Sequence, residues 1–215
     1  MFMTLVLITT VLLATLSLPA AVHAQSLADV SKKASTSVSF PYVVDLVKFL
    51  AAEGKLLQVA AQGKTKPEVK TTDPVYGLSL FPARAVLLKL PPYQAPYTMT
   101  LTAYLGGFGR TKHILIPSGG DLFDADYNFT RKIVESAFRP KAPAFTTGSG
   151  VEASIPFGNA QRDEAFLILY VNTRTAGIRV PIEWSAGSYR SIAPLLIRAE
   201  RSDTGTIEVE IHSRQ

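Results

Sequence analysis

The chain has 215 residues, with 22 Lys and Arg against 17 Asp and Glu, a formal charge of +5 and no cysteine. The lack of thiols excludes cysteine catalysis, sulfur metal sites and a disulfide framework, so burial alone must hold the fold. The basic residues are dispersed as singles and pairs such as Lys32-Lys33 and Arg131-Lys132, without the block of like charge that marks a nucleic-acid arm, so no nucleic acid is expected as partner.

Residues 1–24 carry no charged side chain, run apolar from Leu5 to Leu18, and close on Pro19 and the small-residue site Val22-His23-Ala24. This pattern predicts a cleavable export signal ending before Gln25. The uncharged stretch continues to Ala28, a length that could also serve as an uncleaved anchor, but Pro19 interrupts it where a signal peptide breaks. No cysteine is present for lipid attachment. Export without disulfides fits a periplasmic location, with no stable membrane insertion after cleavage.

Residues 26–34 read as a short helical start, with Ser26 as N-cap. Residues 41–52 place Val43, Leu46, Val47 and Leu50 at helical spacing before Gly54, against a content of β-branched residues that favours strand. Residues 56–60 read as a strand and 63–74 as a polar linker. Residues 25–66 are therefore expected to form a partly helical N-terminal extension, and 67–215 a β-sandwich domain.

From Val75 onward the pattern changes to period two and to short apolar runs punctuated by Pro and Gly, which predicts an all-β, sandwich or jelly-roll-like antiparallel domain. Residues 84–90 form one run before Pro91-Pro92. In residues 97–104, Tyr97, Met99, Leu101 and Ala103 alternate with Thr98, Thr100, Thr102 and Tyr104, giving a strand with one dry and one wet face. Gly106-Gly107 predicts a turn, residues 113–117 a strand, and Ser118-Gly119-Gly120 a second turn. The unbroken apolar run 166–171 predicts a central strand covered on both sides. Residues 194–200 and 206–211 predict a closing hairpin around Ser202-Asp203-Thr204-Gly205, with Ile207, Val209 and Ile211 inward and Glu208 and Glu210 outward.

Three constellations could carry chemistry. Counted from Asp124, oxygen ligands fall at loop positions 1, 3 and 5 (Asp124, Asp126, Asn128) and Glu135 falls at position 12, the calcium-loop spacing. Phe129 occupies the sixth position, where that loop needs glycine, whereas a structural turn uses the same Asp and Asn side chains to bond its own backbone. Paired carboxylates for glycoside cleavage could be drawn from Asp126, Glu135, Asp163 and Glu164, but no nucleophile elbow or zinc helix accompanies them. Only His113 and His212 follow the signal, so a Ser-His-Asp triad would have to use one of these. The candidate ligand-contact aromatics are Tyr93, Phe108, Trp184 and Tyr189, which lie near turns and could stack on sugar rings or simply cover the core. No catalytic, cofactor-binding or metal residue is assigned, and no cofactor is expected.

The order of motifs resembles the maltose operon periplasmic protein (MalM) family. The similarity is carried by residues 74–91, 95–107, 113–131, Ser136-Ala137-Phe138-Arg139-Pro140, the strand 165–174 and the Ser202-Asp203-Thr204-Gly205-Thr206 segment. The resemblance implies a β-rich exported protein associated with carbohydrate uptake and lacking a defined catalytic residue. The expectation is thus a non-enzymatic periplasmic accessory protein whose partners are carbohydrates or envelope proteins. The alternatives are an envelope adaptor, docking partners through Thr98, Thr100 and Thr102 or through the N-terminal extension, and a two-carboxylate carbohydrate-active hydrolase.

Overall fold

The computed structural model describes residues 38–107, 112–141, 148–184 and 195–213, and there the protein is an all-β sandwich with one α-helix. The expected signal at 1–24 and the short helix at 26–34 lie outside the described residues. In chain order the elements are β1 (Ser39–Phe40), α1 (Val43–Ala52), β2 (Leu56–Gln58), β3 (Lys64–Thr65), β4 (Glu68–Val69), β5 (Tyr76–Leu78), β6 (Pro82–Lys89), β7 (Tyr97–Tyr104) and β8 (Lys112–Leu115). They continue with β9 (Gly119–Asp124), β10 (Phe129–Val134), β11 (Arg139–Lys141), β12 (Gly150–Phe157), β13 (Glu164–Asn172), β14 (Arg179–Trp184), β15 (Leu195–Ser202) and β16 (Gly205–Ser213).

The first sheet runs β1-β5-β6-β13-β9-β10, with β2 also on β6. The second runs β11-β12-β7-β16-β3, with β4 also on β16, and the third runs β14-β15-β8. Most pairings are antiparallel as expected, but β1–β5, β2–β6 and β15–β8 are parallel.

The apolar run in β13 is explained by its place at the centre of the first sheet, between β6 and β9. Leu167, Leu169 and Val171 point into the core shared with the second sheet, where they join Met99, Leu101 and Val209. Phe166 and Ile168 point the other way, into a separate core under α1 with Leu46, Val47 and Leu50. A strand covered on both faces has no wet face to alternate with, so its sequence loses the period of two. The molecule is therefore a sandwich with a helix laid on the outer face of one sheet.

Helix α1 forms despite its valines because its buried face at Leu46, Val47 and Leu50 outweighs their χ1 cost. Asp45 sits in its first turn, where the dipole favours an acid. Its end is closed by Gly54 at φ 67°, with the Lys55 N–H donating to the Leu50 carbonyl at 2.9 Å, a glycine-dependent stop. Among the described residues, no helix is long and apolar enough to cross a membrane.

Over residues 38–66 the expected extension belongs to the same compact unit as the other described residues, since β1 and β2 pair into the first sheet and β3 into the second. Two expectations are corrected. The stretch 63–74, expected as linker, contains β3 and β4. The supposed turn at Ser118-Gly119-Gly120 is the start of β9: a Cβ on Gly120 would lie 2.7 Å from the Ile168 carbonyl oxygen, and one on Gly119, at φ 151°, 2.8 Å from that of Ile133. These glycines admit neighbouring backbone and do not reverse the chain.

The predicted closing hairpin is also replaced. β15 pairs with β14 and β8, whereas β16 pairs with β7, β3 and β4, so residues 203–204 carry the chain from the third sheet to the second. Arg84 holds this corner, donating from Nε to Asp203 Oδ2 at 3.2 Å and from Nη1 to the Asp73 carbonyl. Ile207 and Val209 do face inward, fully buried.

Candidate functional site

Among the described residues, an open cleft of about 500 Å³ lies between β11 and β14, each the outermost described strand on its side of its sheet. It is lined by Phe138 and Pro140 from the β11 side, Val151 from β12, Val180, Pro181 and Ile182 from β14, and Ile116. Phe138, Val151 and Ile182 also belong to the core between the sheets, so the cleft is a place where the core reaches the surface. One charged pair lines it. Arg201, in β15, donates from Nη1 to Glu135 Oε1 at 2.8 Å.

The two partners are held differently. The Arg201 side chain is 10 % exposed and its backbone is tied to residues 177 and 178, its N–H donating to the Ile178 carbonyl and its carbonyl accepting from the Gly177 N–H. Glu135 opens a single 3-10 turn, Glu135–Ala137, and its side chain is 46 % exposed. Sequence reasoning named Glu135 only as a calcium or catalytic acid and missed Arg201, whose partner lies 66 residues away in the chain. No local spacing signals such a pair.

The calcium-spaced acids do not converge. Asp124 Oδ1 accepts the backbone N–H groups of Asp126 and Asn128 at 2.9 and 2.8 Å, and its Oδ2 accepts the Asn128 side-chain amide at 2.9 Å. These bonds, the Asn128 side-chain one foremost, hold the Asp124 carboxyl below its ordinary value. The left-handed residue is Tyr127, at φ 64°, while Phe129 is simply the first residue of β10. Tyr127 is kept in that conformation by the turn and by stacking on Phe166, centroids 5.0 Å apart.

The other candidate carboxylates are equally committed. Glu164 is buried and takes a bidentate pair of bonds from Arg131, Nε to Oε1 and Nη2 to Oε2 at 2.9 Å each, plus the Thr130 hydroxyl at 3.0 Å. The same guanidinium lies 4.8 Å from the Phe157 ring centroid and donates to the Pro156 carbonyl. Asp163 is exposed beside Arg162, and Asp126 is an exposed turn residue. His113 and His212 lie 4.0 and 3.9 Å from Glu200 and Glu210, each about half exposed.

Of the aromatic candidates, Tyr93 is half-buried, packs against the core and donates its hydroxyl to Asn159 Oδ1 at 2.8 Å. Trp184 is the last residue of β14, across from Leu195. Phe108 and Tyr189 lie outside the described residues. The two described members sit on different parts of the fold, Tyr93 between β6 and β7 and Trp184 in the third sheet.

The wet face of β7 carries an ion-pair ladder. Glu208, opposite Thr102, accepts from Lys64 at 2.7 Å, Lys66 at 3.2 Å and the Tyr104 hydroxyl at 3.1 Å. Burial works to raise its pKa, but these donors prevail and hold it below the usual value. Thr102, expected on the wet side, is buried beneath this ladder and donates to Glu152, which also pairs with Lys141. Long lysine stems cover a strand that alternation alone would leave open.

No protein-family model matches the chain, and no curated protein is significantly similar to it.

Proposed function

We propose that this is an exported, periplasmic, non-enzymatic accessory protein that works by binding. The carrying observation is the open apolar cleft between the β11 and β14 edges, a volume in the range of small-molecule and side-chain binding sites. A binding role is favoured over bond-breaking because the acids available for hydrolysis are each satisfied by a cation, a turn or solvent, and a carboxylate neutralised by a bidentate arginine is a poor general acid. The resemblance to the maltose operon periplasmic protein family supports export and an association with carbohydrate uptake.

Within this reading the apolar walls disfavour direct sugar binding. A polyhydroxylated ring seated against Val151, Val180 and Ile182 would leave its hydroxyls without partners. The test is site-specific photocrosslinking in intact cells, with the crosslinker at Ser136 in the cleft and, for comparison, at exposed Ser154 on the second sheet. A discrete adduct from position 136 and none from 154 is expected. Adducts from 154 alone, or turnover of any glycan by the purified protein, would overturn the reading. Calorimetry with maltodextrins separates the sugar arm, for which background heats are expected.

A further inference from the structure

We infer that the cleft binds an amphiphile with an apolar body and a single carboxylate head, and that Arg201 is the head-group receptor. The inference rests on the binding role proposed for this cleft and names its ligand class. A guanidinium presents five N–H donors in a planar fork suited to a carboxylate. In this structure Arg201 gives a short bond from Nη1 to Glu135, while Nη2 reaches the Ile116 carbonyl only at 3.5 Å. Among the described residues, the short bond of the fork is therefore the one to Glu135.

The difference in exposure sets the direction of exchange. Arg201 is anchored and nearly buried, whereas Glu135 projects half into solvent from a one-turn helix, so an incoming carboxylate can take the fork and release Glu135 to water. Such an exchange conserves the charge balance around the guanidinium, and no unpaired charge is left buried. Beyond the head, the accessible lining is the hydrocarbon of half-buried Ile116 and Val180 and of exposed Pro140 and Pro181, over the buried side chains of Phe138, Val151 and Ile182. An acyl or similar chain would gain from that surface what a sugar would lose.

An added β-strand is a poorer occupant. Both cleft edges carry a proline, Pro140 in β11 and Pro181 in β14, and neither can donate the backbone N–H that strand addition requires. Pairing by main chain is therefore interrupted on each side, which leaves side-chain and head-group recognition.

The probe is sodium decanoate below its micellar range, titrated into the mature protein and followed by calorimetry and by methyl NMR. Saturable one-to-one binding is expected, with shifts at Ile116, Val151, Val180 and Ile182 and with decanol binding about tenfold more weakly for want of the charged head. Glu135→Gln removes the competing charge while keeping an acceptor for Arg201, and, with folding checked by thermal melting, it should bind decanoate about threefold to tenfold more tightly. Arg201→Met should weaken decanoate about tenfold or more while leaving decanol within about twofold. No saturable shift in the cleft, equal affinity for decanoate and decanol, or unchanged affinity in Glu135→Gln would each overturn the inference. A leucine-terminated peptide with a free carboxylate that displaces decanoate and binds more tightly would also overturn it, in favour of a peptide carboxyl terminus. If decanoate fails while crosslinking from position 136 still captures a partner, the ligand class is wrong and the binding role stands.

Discussion

Asp121 lies in β9 with its carboxyl accepting from the Tyr170 hydroxyl at 3.4 Å, opposite Lys132 of β10 on one side and Ile168 of β13 on the other. Burial is the main cause that holds this carboxyl above its ordinary value of 3.8. The native state therefore binds a proton more tightly than the unfolded chain, and the stability it contributes is lost as pH rises from the ordinary value through the raised one. Asp121→Asn keeps an acceptor for Tyr170 and removes the buried charge. It is expected to be about 1 kcal/mol more stable than the wild type at pH 7, and level with it in acid, by thermal melts across pH. Glu208 has the opposite sign, since its folded value is lowered by Lys64, Lys66 and Tyr104. Its contribution is present above the unfolded carboxylate value and is lost as pH falls through the folded one. Glu208→Gln should cost about 1 kcal/mol at neutral pH, because both lysines are substantially exposed, and the difference should shrink on acidification.

At the scale of elements, β9 shows why a glycine pair need not be a turn. It is pressed between β10 and β13, and Gly120 faces the Ile168 carbonyl so closely that a methyl group would force the two strands apart. Gly120→Ala is expected to destabilise by about 2–3 kcal/mol, measured by urea denaturation, with no change in the denaturant slope if the fold is retained. Helix α1 illustrates the reverse: its face pattern was legible, but what the face covers was not. Leu46 and Leu50 share one buried cluster with Leu87 and Ile168, residues from two strands far along the chain.

For the molecule as a whole, residues 38–66 bind the layers together. They supply β1 and β2 to one sheet, β3 to the other, and the helix that seals the outer core. A chain truncated to begin at residue 67 would expose Leu87, Phe123, Phe166 and Ile168, and at about 25 cal/mol per Å² the loss of that burial is comparable to the margin by which a domain of this size is stable. Loss of cooperative melting and strong binding of a hydrophobic dye are expected. Retention of a sharp transition would mean that α1 is only an appendage.

By itself the amino-acid sequence determined the all-β class and the doubly covered run of β13, and it carried the helical spacing before Gly54 and the alternation of β7 as far as Thr100, because each is written in the spacing of neighbouring residues along a single element. It could not decide that Gly119 and Gly120 open a strand, that β15 and β16 part into different sheets, or that the extension is woven into both layers. Those outcomes depend on which backbone comes to lie beside which. The cleft is of the same kind: Arg201 and Glu135 belong to elements that only strand pairing brings together, and the apolar walls between β11 and β14 exist because two sheet edges, each blunted by a proline, meet without joining. Local periodicity records how one segment meets water, whereas a binding site is made where segments meet one another.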